Sequence, residues 1–373
     1  MRFIHMADTH IGYSAYNHTD TKTGRNQREV DVEEAFRQAV DIILKREPEV
    51  VIHAGDLFHT VRPTNRAISF AMEEISRITE AGIPFIVIAG NHSAPRMRET
   101  GSVFRIISKI KGVHAFYREK YERFELGDIM FHLLPHVHGG EDFKQELSKM
   151  RVSNNHGTNI AVLHAGVEGL KAFRYSTGEA NEDILNIGEI EEGFDYIAFG
   201  HYHTFTELMK NAYYSGSTER LSFADVGQEK GIIEVELEPF EVKFHSLKIR
   251  PMMDIQVDAR GKKAHELMRD IEEKMDRDMK GAIVRLLIND ISASEYMSLD
   301  VRRIRNMASE ALHLEIKPMQ ISSSTGEVDV VSISSIEADF SDFIRKSSIE
   351  GFDKEKLIGM GSRYLSIAKE GKE

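Results

Sequence analysis

The chain has 373 residues but no cysteine and no tryptophan. Without cysteine there is no disulfide framework, thiolate zinc site, iron–sulfur cluster or cysteine nucleophile. Long apolar runs are also missing. IPFIVIAG is typical of the longest, and it has the length of a strand, well short of the roughly 18–20 residues that a membrane span needs. The opening MRFIHMAD carries one basic residue, a very short apolar stretch and then an acid, so no signal-type apolar region forms. A soluble cytoplasmic protein with no membrane association is the expectation. Cations are in deficit too: Lys+Arg is 48 against 60 Asp+Glu, a formal charge of −12. At 29% charged and 41% hydrophobic, the chain is still neither a disordered tail nor a membrane protein. Its length allows two or three domains, each large enough to bury a core.

Histidine is plentiful, and it is unevenly placed. Fourteen of the 17 lie at or before His203, and only His245, His265 and His313 follow. Histidine chemistry therefore belongs to the first part of the chain. There, RFIHMA, VVIHA, IPFIVIA, IMFHLL, NIAVLH and YIAFG read as buried strands. Between them Val32, Phe36, Ala39, Val40 and Ile43 share one helical face, as do Ile68, Met72, Ile75 and Ile78, with Thr64 and Asn65 as candidate caps. This alternation predicts α/β layering, closed near Ile249 by the sheet-rich GIIEVELEPFEVKFHSLKI. A smaller α/β unit is expected from Pro251 to Gln320: strands at Met253–Val257 and Ala282–Ile288, a helix over Ala264–Met279, and a second helix carrying Leu299, Val301, Ile304, Met307 and Leu312. Ser322–Gly326 and Ser334-Ser335 read as linker.

The tail reads as two short amphipathic helices. Ile336, Phe340, Phe343 and Ile344 form one apolar face; Leu357, Met360, Tyr364, Leu365 and Ala368 form the other, with Asp353 as N-cap. Such a pair docks either on a partner or back onto the chain's own body.

The chemistry lies in what ends each apolar run. RFIHMA ends in Asp8-Thr9-His10, and VVIHA in Gly55-Asp56-Leu57-Phe58-His59. IPFIVIA ends in Gly90-Asn91-His92, NIAVL in His164, and YIAF in Gly200-His201-Tyr202-His203. In α/β sheets ligands bind outside the carboxyl ends of strands, so these groups are expected to converge on one rim. Carboxylate, carboxamide and imidazole without thiolate suit a first-row divalent ion such as manganese or iron. Asp8, His10, Asp56, Asn91, His164, His201 and His203 are too many for one ion, but two ions sharing Asp56 would use them all. Paired metals activate water and clamp the attacking and leaving oxygens in phosphoryl transfer. A lone D-x-H, a lone G-N-H or a lone G-H-x-H would be structural; the ordered series is what points to metal. His5 and His53, inside strands, read as core or supporting residues, and His132, His136 and His138 stay ambiguous.

The series resembles the calcineurin-like metallophosphoesterases. MRFIHMADTHIGY, GDLFHTVRP and GNHSAPR narrow the resemblance to the SbcD-type (meiotic recombination eleven) DNA double-strand-break repair nucleases. LHAGV, FGHYH and YSGSTER agree in order and spacing, and KIRPMMDIQV resembles the junction with that family's capping domain. The resemblance implies a four-layer αββα sandwich over residues 1–250, a DNA-capping α/β domain over 251–320, a linker over 321–335 and a helix-loop-helix over 336–373. Asp8, His10 and His203 would hold one manganese, Asn91, His164 and His201 a second, with Asp56 bridging; magnesium or iron are the alternatives. His92 would stabilise the transition state and protonate the leaving 3′-oxygen, and His59 would orient the phosphate. The implied activities are 3′–5′ exonuclease on duplex DNA and endonuclease on single strands, within a nucleoid-associated repair complex. The implied partners are a second copy of the chain, through helices of the phosphoesterase domain, and an SMC-like ATPase of the SbcC (Rad-fifty) type, through the terminal helices. Where many members have an acid after G-N-H, this chain has Ser93.

The net charge is a weak argument against DNA, because binding depends on where cations sit. Arg62, Arg96 and Arg98 follow the site turns, and Arg302, Arg303 and Arg305 cluster on one helix. No base-reading motif is present, so backbone and strand-end recognition is expected. A small-molecule phosphodiesterase and a tethering or ATPase-regulating subunit are the competing readings.

Overall fold

A computed structural model describes residues 1–94, 101–170 and 183–319, together with 344, 354, 356 and 358–361. Met1–Met319 form one compact unit and Gln320–Glu373 a second. In chain order, the described strands and α-helices of the first unit begin with β1 (Arg2–Met6), α1 (Gln27–Arg46), β2 (Val50–His53), α2 (Asn65–Glu80), β3 (Phe85–Ile88), α3 (Phe104–Ile107) and β4 (Val113–Phe116). Next come β5 (Glu122–Leu126), β6 (Ile129–Leu134), α4 (Gly140–Leu147), β7 (Thr158–His164), β8 (Gly166–Val167), β9 (Ile184–Leu185) and β10 (Tyr196–Gly200). The order closes with β11 (Thr206–Met209), β12 (Ala212–Tyr214), β13 (Gly231–Leu237), β14 (Phe240–Ser246), β15 (Met252–Asp258), α5 (Ala264–Met275), β16 (Ile283–Asn289), α6 (Ala293–Met297), α7 (Val301–Met307) and β17 (His313–Pro318).

Two six-stranded sheets dominate, in the orders β14-β13-β1-β2-β3-β4 and β11-β12-β10-β7-β6-β5. In the first, β1 to β4 run parallel while β13 and β14 are antiparallel. In the second, β6, β7, β10 and β12 run parallel. The sheets face each other across a shared apolar layer. Phe3, Ile52, Ile86 and Ile88 from one meet Phe131, Leu133, Ile160, Val162 and Ala198 from the other. The outer face of the first sheet is covered by α1 and α2 through Phe36, Ala39, Val40, Ile43, Phe70, Ile75 and Ile78. The outer face of the second is covered by Phe143 and Leu147 of α4 and by loop residues. This is a helix–sheet–sheet–helix sandwich. Strands buried on both faces read as unbroken apolar runs, which is why six of them stand out in the sequence.

The helix signals hold locally. Asn26 accepts from the Arg28 amide at 3.0 Å to start α1, and Lys45 and Arg46 sit in its last turn, opposite the carbonyl end of the helix dipole. Thr64 accepts from the Ala67 amide at 3.2 Å; Asn65 is the first helical residue of α2 and not its cap.

The three-stranded parallel sheet β15-β16-β17 has its own core, with Ile255, Leu267, Ile271, Leu286 and Ile304. One expectation here is corrected. The helix expected to carry Leu299 through Leu312 is shorter: α7 covers only Val301–Met307, Leu299 precedes it, and Leu312 leads into β17, which sequence reading missed. Ser292 and Asp300 each cap a helix start, and each cap begins a new helix. The expected Ala264–Met279 helix stops at Met275. The small sheet joins the sandwich through a paired salt bridge from Arg250 to Asp31 (2.5 and 2.6 Å) and a stack of Tyr16 on His313.

In the second unit, Ile344, Lys354, Lys356 and residues 358–361 are helical, with Ile344 and Ile358 buried. Most of the expected tail faces, and the linker at 321–335, lie outside the described residues.

Candidate metal centre

The parallel strands of both sheets end on one rim. From the first sheet, β1 delivers Asp8 and His10, β2 delivers Asp56 and His59, and β3 delivers Asn91 and His92. From the second, β7 ends in His164 and β10 leads into His201 and His203. The loops after β1 and β2 extend their ladder: the Asp8 amide donates to Gly55 O at 3.0 Å, and the His10 amide to Asp56 O at 3.0 Å. That pairing fixes backbone that few side-chain-bearing residues adopt. Asp8, His10, Asp56 and His201 all have positive φ, at 51°, 46°, 52° and 105°. Each such residue costs about 1–3 kcal/mol and clusters where function demands it.

Glycine is required beside them for close approach. A methyl built on Gly55 would lie 2.1 Å from His164 Nδ1, and one on Gly90 would lie 2.2 Å from Asp56 Oδ1. These contacts explain the glycines that flank the acids and imidazoles in the sequence.

All seven candidate ligands come together. His10 Nε2 lies 3.2 Å from His203 Nε2, and Asp8 joins these two in one ligand cluster. Asn91 Oδ1 lies 2.9 Å from His164 Nε2 and 3.3 Å from His201 Nδ1. Asp56 stands between the two groups, its Oδ2 3.3 Å from His164 Nε2 and 3.9 Å from His10 Nε2. Asp8, Asp56 and His164 form a further cluster. The His201 amide donates to both Asp8 oxygens, at 3.0 and 3.1 Å.

The electrostatics fit a cation. Two imidazole nitrogens face to face at 3.2 Å can be satisfied only by a shared proton or a metal. Burial alone would lower the His164 imidazole; the Asp56 and Asp8 carboxylates instead raise it to about 9. Burial would raise Asp56, yet His164, His92 and His10 hold it well below the carboxylate range. Burial lowers His10 well below the ordinary imidazole value, so its lone pair is available as a ligand. The donor set is oxygen and imidazole nitrogen without sulfur, as hard-to-borderline divalent ions prefer. The rim offers the donor set of a divalent-metal centre.

His59 and His92 stack on each other beside it, with ring centroids 5.1 Å apart. The His92 amide donates to Asp56 Oδ1 at 3.0 Å, and its Nδ1 donates to His59 O at 2.9 Å. His59 Nδ1 lies 3.3 Å from His10 Nδ1, and Tyr13 packs edge-on against the His59 ring. Ser93 is fully buried, its hydroxyl donating to Phe58 O at 3.4 Å. Arg62 is exposed on the turn beyond β2; Arg96 and Arg98 lie outside the described residues.

His5 and His53 are core residues. His5 pairs with Tyr196 OH and Phe199 O, and His53 with Thr9 Oγ1, at 3.0–3.2 Å. Burial lowers both to about 3, so each is neutral. His136 pairs with Asp183 at 2.8 Å, while His132 bridges Tyr121 and Asn159. Sequence reading missed Asp225 and Lys230. They form a fully buried ion pair at 2.8 Å, and Lys230 also donates to His203 O at 2.6 Å. Isolated charges in loops carry no periodicity, so no sequence signal marks them.

Residues 1–205 match the calcineurin-like phosphoesterases, more than half of the chain, and it belongs to that family. Its relatives of known role are narrower in kind. The chain is 32% identical over 205 residues to a DNA double-strand break repair protein Mre11 of Sulfurisphaera tokodaii, covering 54% of this chain and 49% of that protein. It is 30% identical over 240 residues to the Mre11 of Methanococcus maripaludis, 62% of this chain and 60% of that one. Over 320 residues it is 28% identical to the Mre11 of Thermoplasma acidophilum, 81% of each. The chain spans about half the length of the first of these relatives.

Proposed function

We propose that this chain is the nuclease subunit of a DNA double-strand-break repair complex. The observation that carries the reading is the single rim on which two sheets assemble Asp8, His10, Asp56, Asn91, His164, His201 and His203, with His92 and His59 stacked beside it. The repair proteins it is similar to favour DNA over a small phosphodiester as substrate.

Asp8, His10 and His203 would hold one ion, and Asn91, His164 and His201 a second, with Asp56 available to both; manganese would be the preferred metal. When bound, such a pair supplies Lewis-acid polarisation and a low-pKa water for phosphodiester hydrolysis. The chain's own residues then order the reaction. Because Nδ1 of His92 donates to the His59 carbonyl, Nε2 is the nitrogen that takes and returns a proton, on the side of the leaving 3′-oxygen. His59 is fixed by His10 and by the Tyr13 ring edge, which suits it to orienting the phosphate. Arg62, with Arg96 and Arg98, steers the DNA backbone. The activities are 3′–5′ exonuclease on duplex and endonuclease on single strands.

Residues 1–250 act as the nuclease domain, 251–320 cap the DNA, and 336–373 bind an SMC-like ATPase beyond a linker at 321–335. The working form is a cytoplasmic homodimer. Among the described residues no helix is long and apolar enough to cross a membrane.

The test uses labelled duplex and a single-stranded circle, in manganese and in magnesium. His92→Gln should abolish cleavage while calorimetry still records metal binding. Undiminished cleavage by that variant overturns the role of His92; turnover of an aryl phosphodiester with no DNA cleavage overturns the substrate.

A further inference from the structure

His203 is a candidate ligand with a buried ion pair behind it. Its Nε2 faces His10 across 3.2 Å, on the metal side. Its Nδ1 is buried without a hydrogen-bond partner and lies 4.0 Å from Asp225 Oδ1. Asp225 is itself fully buried and held from three sides. Its Oδ2 accepts the amides of Leu221 and Ser222, each at 3.0 Å. Its Oδ1 accepts the Lys230 ammonium at 2.8 Å. That ammonium spends its other two protons on Gln228 Oε1 at 2.9 Å and on His203 O at 2.6 Å.

A buried ammonium with three acceptors is fully satisfied, and it is expensive to desolvate unless something fixes it there. Here it grips the backbone of a candidate ligand and the carboxylate facing that ligand's far nitrogen. Hydrophobic residues would close the same space at lower electrostatic cost. From this geometry we infer that Asp225 and Lys230 are positioning residues for His203. Asp225 holds the ring as the Nδ1–H tautomer, which leaves the Nε2 lone pair on the metal side, and Lys230 anchors the carbonyl so that the ring cannot swing away. Partners of this kind behind a metal-binding imidazole typically contribute about 10–100-fold in metal affinity. The inference rests on the metal-centre reading above.

The test titrates Mn2+ alone into the metal-free full-length protein by calorimetry, well below every variant's melting temperature. Asp225→Asn leaves a buried ammonium short of its counter-charge, so the double variant Asp225→Asn/Lys230→Met, which removes both charges, is measured beside it. Both should weaken one class of Mn2+ sites about 10–100-fold and leave the other unchanged, with Asp225→Glu partly restoring it. Arg250→Met breaks a different partly buried ion pair, to Asp31, and should lower the melting temperature without changing Mn2+ affinity. Variants that melt earlier yet bind Mn2+ like the wild type overturn the inference. A wild type that binds no Mn2+ overturns the metal-centre reading instead.

Discussion

Gly90→Ala isolates how closely the backbone must approach the centre. Gly90 has φ −97°, which alanine adopts without strain, so any effect comes from contact alone. A methyl there would lie 2.2 Å from Asp56 Oδ1, 2.6 Å from its Cγ and 2.6 Å from its backbone nitrogen. Ordinary carbon contacts sit near 3.5–4.0 Å, so Asp56 must retreat by roughly 1 Å. Rotating its side chain does not relieve the clash with the backbone nitrogen. The displaced carboxylate loses its place 3.3 Å from His164 and its hydrogen bond from the His92 amide. Overpacking of this kind costs about 1–3 kcal/mol of stability. Metal affinity should fall by at least the ~10-fold that disturbing an orienting group costs. The assay is denaturant unfolding together with Mn2+ calorimetry. Gly140→Ala is the control, because nothing lies within 4 Å of a methyl there; its stability should stay within about 0.5 kcal/mol. A Gly90→Ala protein with wild-type stability and wild-type Mn2+ affinity refutes the reasoning.

Other outcomes follow from the same structure. Burial holds His5 and His53 at about 3, so between there and their ordinary value near 6.5 the unfolded chain binds protons that the folded chain refuses. Stability should therefore drop as pH falls below 6.5, by about 2 kcal/mol per histidine near pH 5. Unfolding curves of wild type and His53→Gln across that range should diverge, and parallel curves would count against it. Arg250→Met should cost about 1–3 kcal/mol by removing a charge-assisted pair of hydrogen bonds to Asp31, which keeps Arg28 at 2.6 Å and Gln27 at 3.0 Å; it is read as a lower unfolding midpoint with DNA cleavage retained. Deleting residues 336–373 should abolish capture by the partner ATPase and spare manganese-dependent cleavage of a single-stranded circle; capture that survives the deletion rules out the tail as the docking element.

Much of this was legible in the sequence for one physical reason. A parallel strand buried on both faces has to be apolar, and its C-terminal end has to be where polar groups gather. β1, β2, β3, β7 and β10 therefore announce both themselves and the residues that follow them. The signal fades where burial is one-sided or decided by distant neighbours. Edge strand β5 (ERFEL) is only half buried, and β17 mixes His, Glu and Lys into a six-residue run. The short span of α7 depends on the Asp300 cap and on a chain reversal after Met307, and neither interrupts the apolar spacing from Leu299 to Leu312. Asp225 and Lys230 were illegible because each is a lone charge whose burial is set by the loop between β12 and β13 folding over β10's end.

The strand order also sets a sequence in time. Four candidate ligands come from the first sheet and three from the second, and the last of them is His203. The strand that flanks β1 on its other side is β13, residues 231–237. A chain growing from its N-terminus thus holds every candidate ligand before the first sheet can close, and until then β1 presents an open edge to any other strand nearby. Because the candidate ligands are shared between the sheets, an ion bound at that stage would pin the two layers together and stabilise the sandwich by mass action. Metal supply during synthesis should then govern how much of the protein reaches its folded state, and not only how fast the folded protein works.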